Sequence, residues 1–239
     1  MKACIAQWIG CRDKQEDSYR VKYYPEGLLV VVADGMGGHH GGALASAVAV
    51  REFEAVFPAT PELPARERLQ GALVAANAAV GAELRGAGGT TLIAAFICAG
   101  VIWWVSVGDS PLLLRRNGRL QRLNADHSLR AVLLEYVAAG TMTHTEAMQR
   151  GHQLRSALTG EEMSLVDSPL VPCPLLPGDR VLVASDGADE LLLLPVLTAE
   201  VCAILDAPGG NPAVSLVETC RQLADPAADN VTIVSVDYR

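Results

Sequence analysis

The sequence lacks the cysteine patterns that mark a zinc site or a disulfide framework. No two of its six cysteines form a C-x-x-C pair; they are Cys4, Cys11, Cys98, Cys173, Cys202 and Cys220. We therefore expect reduced thiols in a cytoplasmic protein. The apolar part of the amino-terminal segment is also too short for a signal peptide.

Positive charge is scarce as well. The 239 residues include 19 Lys and Arg against 27 Asp and Glu, a formal net charge of -8. Without a basic face, the chain is not expected to be a general nucleic-acid binder. Half of the residues are hydrophobic and 19% are charged, which is typical of a globular chain. Because no linker or repeat divides the sequence, we predict a single domain over residues 1–239.

Three common catalytic signatures are absent. There is no P-loop and no G-x-S-x-G elbow, and His40 stands where a Rossmann fingerprint needs its third glycine. Residues 90–108 carry no charge and are long enough to suggest a membrane span. However, Gly100 interrupts this run, and residues 101–107 are β-branched and aromatic. We therefore predict two buried strands joined at Ala99-Gly100, and no membrane span.

Hydrophobic periodicity predicts a layered α+β fold, because strands come in consecutive runs and helices in pairs. Asn117-Gly118 indicates a hairpin. Thr143 and Glu146 form a capping box that would open a short helix, and Asn211-Pro212 would start another. Strands are predicted at residues 3–8, 18–24, 28–33, 101–107, 181–185 and 231–236, and helices at 42–57, 65–85 and 126–140.

Residues 30–46 are the centre of the functional argument. A continuous apolar run over 28–33, typical of a strand buried on both faces, ends in Asp34-Gly35 and a glycine-rich turn. A carboxylate at the end of a buried strand indicates a ligand site. Asp-Gly is also a strong turn dipeptide, so a simple turn is the alternative. His39 and His40 are either ligands or proton donors, or a solvent-facing pair.

Other acids stand beside apolar runs in the same way. Asp109 and Asp186 follow such runs, Asp229 precedes one, and Glu16-Asp17 lies before another. If these ends of the strands meet, up to six carboxylates converge, and they cannot all stay ionised without cations. Oxygen-only ligation favours magnesium or manganese over zinc. The alternative is chance, since surface loops are rich in Asp.

The acids belong to an ordered set of short motifs that covers the chain from residue 10 onward. In this order the set resembles the metal-dependent Ser/Thr protein phosphatases of the PP2C type (the PPM family), in its compact bacterial branch. Each motif alone is weak, but the ordered set is highly specific. The motifs are GCRDKQEDS, VVADGMGGHHGGALAS, GGTTL, VGDS, NADHS, LRSALTG, VLVASDGADELL and ADNVTIVSV.

The resemblance implies a four-layer α-β-β-α sandwich, in which two antiparallel sheets flanked by helix pairs hold two metal ions between them. By position, Asp34 would bridge both ions, and the Gly35 carbonyl would bind one of them. Asp186 and Asp229 would hold the other. Asp34, Asp186 and Asp229 would form the catalytic set.

The remaining site residues also follow from the resemblance. Asp109, with Asp186, matches a third-metal position of bacterial members. Glu16 matches an acid that binds metal in some members, and Asp17 one that orients a metal-bound water. Arg12 matches the arginine that grips the substrate phosphate, a task suited to its bidentate fork.

The implied function is hydrolysis of phosphoserine and phosphothreonine on proteins by a metal-activated water, with manganese or magnesium as cofactor. The implied partners are phosphorylated proteins and a bacterial Ser/Thr kinase that the enzyme opposes; we expect a monomer. The family's variable flap would lie at about residues 129–153 and select substrates. One alternative is a catalytically weak, phosphatase-like regulator that binds one phosphoprotein. Another is an enzyme confined to a single regulatory partner.

Overall fold

The computed structural model describes residues 1–37, 41–224 and 226–239. Within them, eleven strands and seven α-helices follow one another along the chain. The strands are β1 (Lys2–Trp8), β2 (Asp17–Tyr24), β3 (Gly27–Met36), β4 (Gly89–Thr90), β5 (Leu92–Cys98), β6 (Val101–Val107), β7 (Leu112–Arg116), β8 (Arg119–Arg122), β9 (Cys173–Pro174), β10 (Arg180–Ala184) and β11 (Val231–Asp237). The helices are α1 (Gly41–Val56), α2 (Ala65–Leu84), α3 (Arg130–Ala138), α4 (His144–Gly151), α5 (Asp189–Leu193), α6 (Thr198–Asp206) and α7 (Pro212–Leu223).

The strands form two antiparallel sheets. One has the order β1-β11-β10-β7-β8, and the other has the order β2-β3-β5-β6-β9, with β4 paired to β3. Every pairing between named strands is antiparallel. β11 pairs with β1 on one side and with β10 on the other, so β11 lies inside its sheet.

Side-chain alternation builds the layers. In β3, Leu28 and Val30 belong to a buried cluster that both sheets share. Leu29 and Val31 point the other way, into a cluster with residues of α1 and α2. A third cluster packs β10 and β11 against residues of α5, α6 and α7. The predicted α-β-β-α sandwich is therefore confirmed.

Several local predictions also agree with the structure. Ala99 and Asn117 have positive φ of 48° and 50°, each followed by a glycine with positive φ, as two-residue hairpins require. Thr143 and Glu146 form the reciprocal capping box of α4, and the Asn211 side chain caps α7. In the described part of the chain, no helix is both long and apolar enough to cross a membrane.

Other local predictions were wrong. The strand expected to end at 33 continues as β3 to Met36, because β4 pairs with Gly35 and Met36. The chain turns afterwards at Gly37, whose φ of 129° suits only glycine. The helix expected from residue 126 begins at Arg130 instead, since Asp126 Oδ1 accepts hydrogen bonds from the backbone N and Oγ of Ser128. Helices α5 and α6 were not predicted, because residues 189–206 are apolar without a clear helical period.

We call residues 129–153, which include α3 and α4, the flap. Its two ends are joined by backbone hydrogen bonds, from Leu129 N to the Gln153 carbonyl and from Arg155 N to the His127 carbonyl. Leu133 and Ala147 are buried within the flap region but belong to none of the three large clusters. The flap is thus a pair of short helices on a narrow base, with little core of its own.

Candidate active site

A cavity of about 670 Å³ is lined by residues from both sheets and from the end of the flap. Seven of the eight predicted site residues line it: Arg12, Glu16, Asp34, Gly35, Asp109, Asp186 and Asp229. The eighth, Asp17, does not. Because these residues are spread over more than 200 positions, the fold brings together what only the motif order had linked.

The backbone of Asp34 is held by hydrogen bonds with Thr90 and Thr91. Its N–H donates to Thr91 Oγ1 at 3.0 Å, and its carbonyl accepts from Thr91 N at 2.8 Å and from Thr90 Oγ1 at 2.8 Å. Burial raises the pKa of Asp34 well above its usual range. The negative charges of Asp186 and Asp17 raise it further. A rigid strand therefore presents a carboxyl group that is costly to ionise without a nearby cation.

Asp17 faces Asp34 across the β2–β3 pair and links the two sheets. Its Oδ2 accepts hydrogen bonds from Ser185 Oγ at 2.7 Å and Thr232 Oγ1 at 2.6 Å, both on the opposite sheet's side. Its Oδ1 is buried without a hydrogen-bond partner. Burial raises the pKa of Asp17 to about 7 despite these hydrogen bonds. Asp17 is thus a cross-sheet tie beside the cavity rather than part of its wall.

Asp186 follows β10 and begins a short 3₁₀ turn at residues 186–188. Burial raises its pKa, while a hydrogen bond shared with the Asp34 carboxyl opposes the rise. Two carboxyl groups can share a hydrogen bond only when one of them carries a proton or a cation replaces it. The pair therefore places two acids side by side, where a divalent cation would replace the shared proton.

Asp109 follows β6 and is only 2% exposed. Its Oδ2 has no hydrogen-bond partner. Burial, followed by the negative charges of Asp186, Asp189 and Asp126, raises its pKa to about 8. Arg122 donates to the Asp109 carbonyl at 2.6 Å, so the backbone is fixed while Oδ2 of the carboxyl group has no partner.

Arg12 and Asp229 form an ion pair. Arg12 Nη2 donates to Asp229 Oδ2 at 2.8 Å, and the two side chains are 54% and 45% exposed. An exposed pair of this kind contributes about 0–1 kcal/mol, so Arg12 is readily released to another anion. The structure thus brings Arg12, the predicted phosphate-binding residue, into contact with Asp229, a predicted metal ligand.

Asn230 was not predicted, although it lies inside a quoted motif. Its Oδ1 accepts from Glu16 N at 2.6 Å, and its Nδ2 donates to the carbonyls of Ile9 and Lys14 at 2.7 and 3.0 Å. Gly10 lies so close that an added Cβ would be 2.1 Å from the Asp229 carbonyl oxygen. Asn230 therefore fastens the loop that carries Arg12 and Glu16 to the start of β11.

The end of the flap contributes His152 and Gln153 to the cavity wall, and Leu154, directly after it, also lines the cavity. Leu154 begins the quoted motif LRSALTG, but no periodicity or motif in the sequence indicated His152 or Gln153. The predicted histidine pair, His39 and His40, lies outside the described residues.

The residues of the cavity fit divalent cations. Asp109 in the cavity wall and Asp17 beside it each bury a carboxyl oxygen with no hydrogen-bond partner, and Asp34 and Asp186 bring like charges together. The donors are carboxyl oxygens, which hard cations prefer. Among the described residues, no three His, Cys, Asp or Glu side chains form a ligand cluster by themselves. A complete ligand shell would therefore need backbone oxygens, such as that of Gly35.

Comparison with known proteins agrees with this geometry. A family model described as "Protein phosphatase 2C" matches residues 11–218. The chain is 32% identical over 237 residues to the serine/threonine protein phosphatase PstP of Mycobacterium tuberculosis, covering 95% of this chain and 42% of that protein. The chain thus spans less than half the length of this relative.

Solved structures share the fold. The PPM Ser-Thr phosphatase MsPP from Mycobacterium smegmatis, solved with cacodylate, matches at a TM-score of 0.77 and 32% identity over 100% of this chain and 99% of that chain. The catalytic domain of PstP, solved with two manganese ions, matches at a TM-score of 0.78 and 28% identity over 99% and 97%. This chain belongs to the protein phosphatase 2C family.

Proposed function

We propose that the protein hydrolyses phosphoserine and phosphothreonine on other proteins, with manganese or magnesium as cofactor. The observation that carries the proposal is one cavity that holds the carboxyl groups of Asp34, Asp109 and Asp186 beside Arg12 and Asp229. Family membership and the two manganese ions of the PstP catalytic domain support it. No feature of the described residues favours the alternative of a non-catalytic regulator.

Asp34, the Gly35 carbonyl, Asp186 and Asp229 would hold two ions, with Glu16 and Asp17 beside them. When bound, such ions supply Lewis-acid activation of the attacking water and neutralise charge on the phosphoryl group. The hydrogen bonds of Thr90 and Thr91 hold the backbone of Asp34 in place, which limits the reorganisation needed during reaction.

Arg12 binds the substrate phosphate through its guanidinium group. Its exposed pair with Asp229 opens at little cost, and a phosphate offers the same fork geometry with more negative charge. The hydrogen bonds of Asn230 keep the Arg12 loop against β11 during this exchange.

The substrate must be supplied by a Ser/Thr kinase, since that reaction class produces phosphoserine and phosphothreonine on proteins. We infer a cytoplasmic monomer, and we infer that its thiols are reduced because no disulfide joins any of the cysteines in the described structure. We also infer that residues 1–239 act as a single domain that includes the flap.

The test is hydrolysis of p-nitrophenyl phosphate and of a phosphothreonine peptide by the purified protein. Activity should disappear in EDTA and return with Mn²⁺ or Mg²⁺. Substantial turnover in the chelator, or recovery with Zn²⁺ alone, would contradict the proposal.

A further inference from the structure

Hydrolysis of a phosphoserine or phosphothreonine ester calls for a proton donor that the acids of the cavity do not supply. The seryl or threonyl oxygen leaves phosphorus as a strongly basic alkoxide unless it gains a proton as the bond breaks. Carboxyl groups that bind metal ions are ionised and have no proton to give. Arginine and lysine hold their protons too tightly near neutral pH. The donor must therefore come from another part of the cavity wall.

His152 is the one imidazole among the described residues of the cavity wall. Its side chain is exposed, so a substrate that enters the cavity can reach it. Histidine is the side chain that most often transfers protons in enzymes near neutral pH. Met36 also lines the wall, but its thioether has no proton to transfer. His127 is 5% exposed, and its Nδ1 already accepts a hydrogen bond from Gly108 N at 3.2 Å.

The residues on both sides of His152 are fixed to the base of the flap. Before it, Gly151 packs on Arg130, since an added Cβ at Gly151 would lie 3.4 Å from both Cα and Cβ of Arg130. After it, the Gln153 carbonyl accepts a hydrogen bond from Leu129 N at 2.9 Å. His152 is thus held at the narrow base rather than on the free part of the flap.

This base is tied to the segment that carries Asp186. Arg130 Nη1 donates to Asp189 Oδ2 at 2.6 Å, and Asp189 begins α5, three residues after Asp186. The two side chains of this ion pair are only 23% and 13% exposed. Burial raises the pKa of Asp186, and the positive charge of His152 opposes the rise, which agrees with two groups that share one cavity.

The depths of these residues place His152 on the side of the leaving group. Asp34 and Asp186 are partly buried and Asp109 is 2% exposed, whereas His152 is exposed. The acids therefore line the inner part of the cavity, and His152 lies nearer to solvent. In phosphoryl transfer the attacking and leaving oxygens stand on opposite sides of phosphorus. Attack by a water at the acids thus directs the leaving oxygen outward, where the substrate protein must lie.

We propose that His152 is the general acid of the reaction, and that a ring N–H gives its proton to the seryl or threonyl oxygen as the bond from that oxygen to phosphorus breaks. The attacking water supplies the hydroxyl group that phosphorus gains, and its other proton passes to solvent. The neutral imidazole then regains a proton from solvent, so that ester and water become alcohol and phosphate. The inference rests on the proposed function, because it presumes that the cavity hydrolyses phosphate esters.

The experiment compares esters that differ in the basicity of the leaving group. p-Nitrophenolate is a stable anion that leaves without a proton, whereas phenolate is more basic and an alkoxide is more basic still. In His152→Gln, kcat on p-nitrophenyl phosphate should stay near the wild-type value, and kcat on phenyl phosphate should fall. On a phosphothreonine peptide, kcat should fall furthest, by about 10²- to 10⁴-fold. Because the two small esters are of similar size, their comparison separates proton donation from peptide recognition.

Two further variants separate proton donation from a structural role. His144→Gln makes the same exchange at the first residue of α4 and should keep the wild-type ratio between the two small esters. His152→Ala leaves room in the cavity wall for a free imidazole. Added imidazole should therefore restore activity of His152→Ala on the phosphothreonine peptide and have little effect on p-nitrophenyl phosphate.

A measurement without catalysis tests whether His152 acts through the metal ions instead. Bound Mn²⁺ is counted by equilibrium dialysis and elemental analysis, and thermal unfolding is followed in the same samples. His152→Gln should bind as much Mn²⁺ as the wild type and melt at the same temperature, because an exposed general acid is neither a metal ligand nor part of the core. Loss of Mn²⁺ from His152→Gln would overturn the inference.

No change or equal losses on all three esters in His152→Gln, or a loss confined to KM on the peptide, would also overturn the inference while leaving the proposed function intact. The same holds if the ratio between the small esters changes in a His39→Gln, His40→Gln double variant and not in His152→Gln. If the wild type hydrolyses none of the esters with Mn²⁺ or Mg²⁺, the proposed function fails as well. The two failures are therefore distinguishable.

Discussion

The strand-borne wall of the cavity and the flap that borders it are held in different ways. Asp34 lies on β3, which is paired on both sides and has fully buried residues such as Leu29 and Val31. The flap consists of one helix of nine residues and one of eight on a hydrogen-bonded base. Short helices with little core open locally at low cost. We therefore propose that the rigid wall carries the metal chemistry and that the flap selects the substrate.

Removal of a carboxylate from the wall should have the largest effect. Asp34→Asn or Asp186→Asn should reduce kcat by about three orders of magnitude or more, about 4 kcal/mol, because each removes a proposed metal ligand. Steady-state kinetics at saturating Mn²⁺ measures this. Glu218→Gln, on an exposed face of α7, is the matched control and should leave kcat unchanged. A similar kcat for Asp34→Asn and the wild type would show that the wall does not carry the chemistry.

Loss of Arg12, the proposed phosphate-binding residue, should lower activity less than loss of Asp34 or Asp186. Arg12→Ala should lower kcat/KM on a phosphothreonine peptide by about ten- to a hundredfold, the worth of a hydrogen bond to a charged group. Mn²⁺ binding should survive, since Arg12 is not a metal ligand. Arg12→Lys keeps the positive charge without the planar fork, so its kcat/KM should lie between those of Arg12→Ala and the wild type. If Arg12→Ala abolished Mn²⁺ binding, its pair with Asp229 would be the essential contact instead.

The flap can be tested by replacing residues 140–151 with a short Gly/Ser linker. Hydrolysis of p-nitrophenyl phosphate should stay within about tenfold of the wild type, or about 1.4 kcal/mol. Activity on a phosphorylated protein should fall by at least a further factor of about ten, because loops beside a rigid site select which macromolecules approach. Parallel losses on both substrates, with a lower melting temperature, would mean that the flap supports the fold instead.

The smallest effect is expected for Asp179, which does not line the cavity and directly precedes β10. Burial alone would raise the pKa of Asp179, but hydrogen bonds from Arg116 and Leu176 outweigh it and hold the pKa below its usual range. A depressed native pKa stabilises the fold above the unfolded pKa, and this contribution is lost as pH falls through the native pKa.

Asp179→Asn should therefore be less stable than the wild type at neutral pH, by about 1–2 kcal/mol for the lost charged hydrogen bonds. The difference between the two proteins in free energy of unfolding should become smaller in acid. Urea unfolding at several pH values would measure this difference. Asp206→Asn, which disrupts a pair whose acid is 52% exposed, should change little. An unchanged gap at low pH would contradict the assigned pKa.

The sequence was sufficient to predict the wall and insufficient to predict the flap contacts, for physical reasons. Asp34, Asp109 and Asp186 follow continuous apolar runs, and buried strands of this kind leave a clear pattern that ends where the carboxylate begins. The hairpin glycines and helix caps likewise depend on neighbouring residues alone.

Contacts between distant segments leave no such pattern. Arg130 and Asp189 are separated by 59 residues. Asp189 lies inside the quoted motif VLVASDGADELL, but nothing in the sequence indicates that it pairs with Arg130. The same holds for His152, which reaches the cavity only through the path of the flap. The extension of β3 to Met36 was missed because it depends on pairing with β4, a strand of two residues.

The place of β11 between β1 and β10 has a consequence for how the protein is synthesised and folded. Asp229 and Asn230 directly precede β11, and Asn230 fastens a loop more than 200 residues earlier in the chain. While a ribosome is still synthesising the protein, the cavity cannot close until residues 229–237 have emerged. Contacts of such long sequence separation also form slowly. A nascent chain therefore cannot assemble the complete cavity until translation has passed this strand.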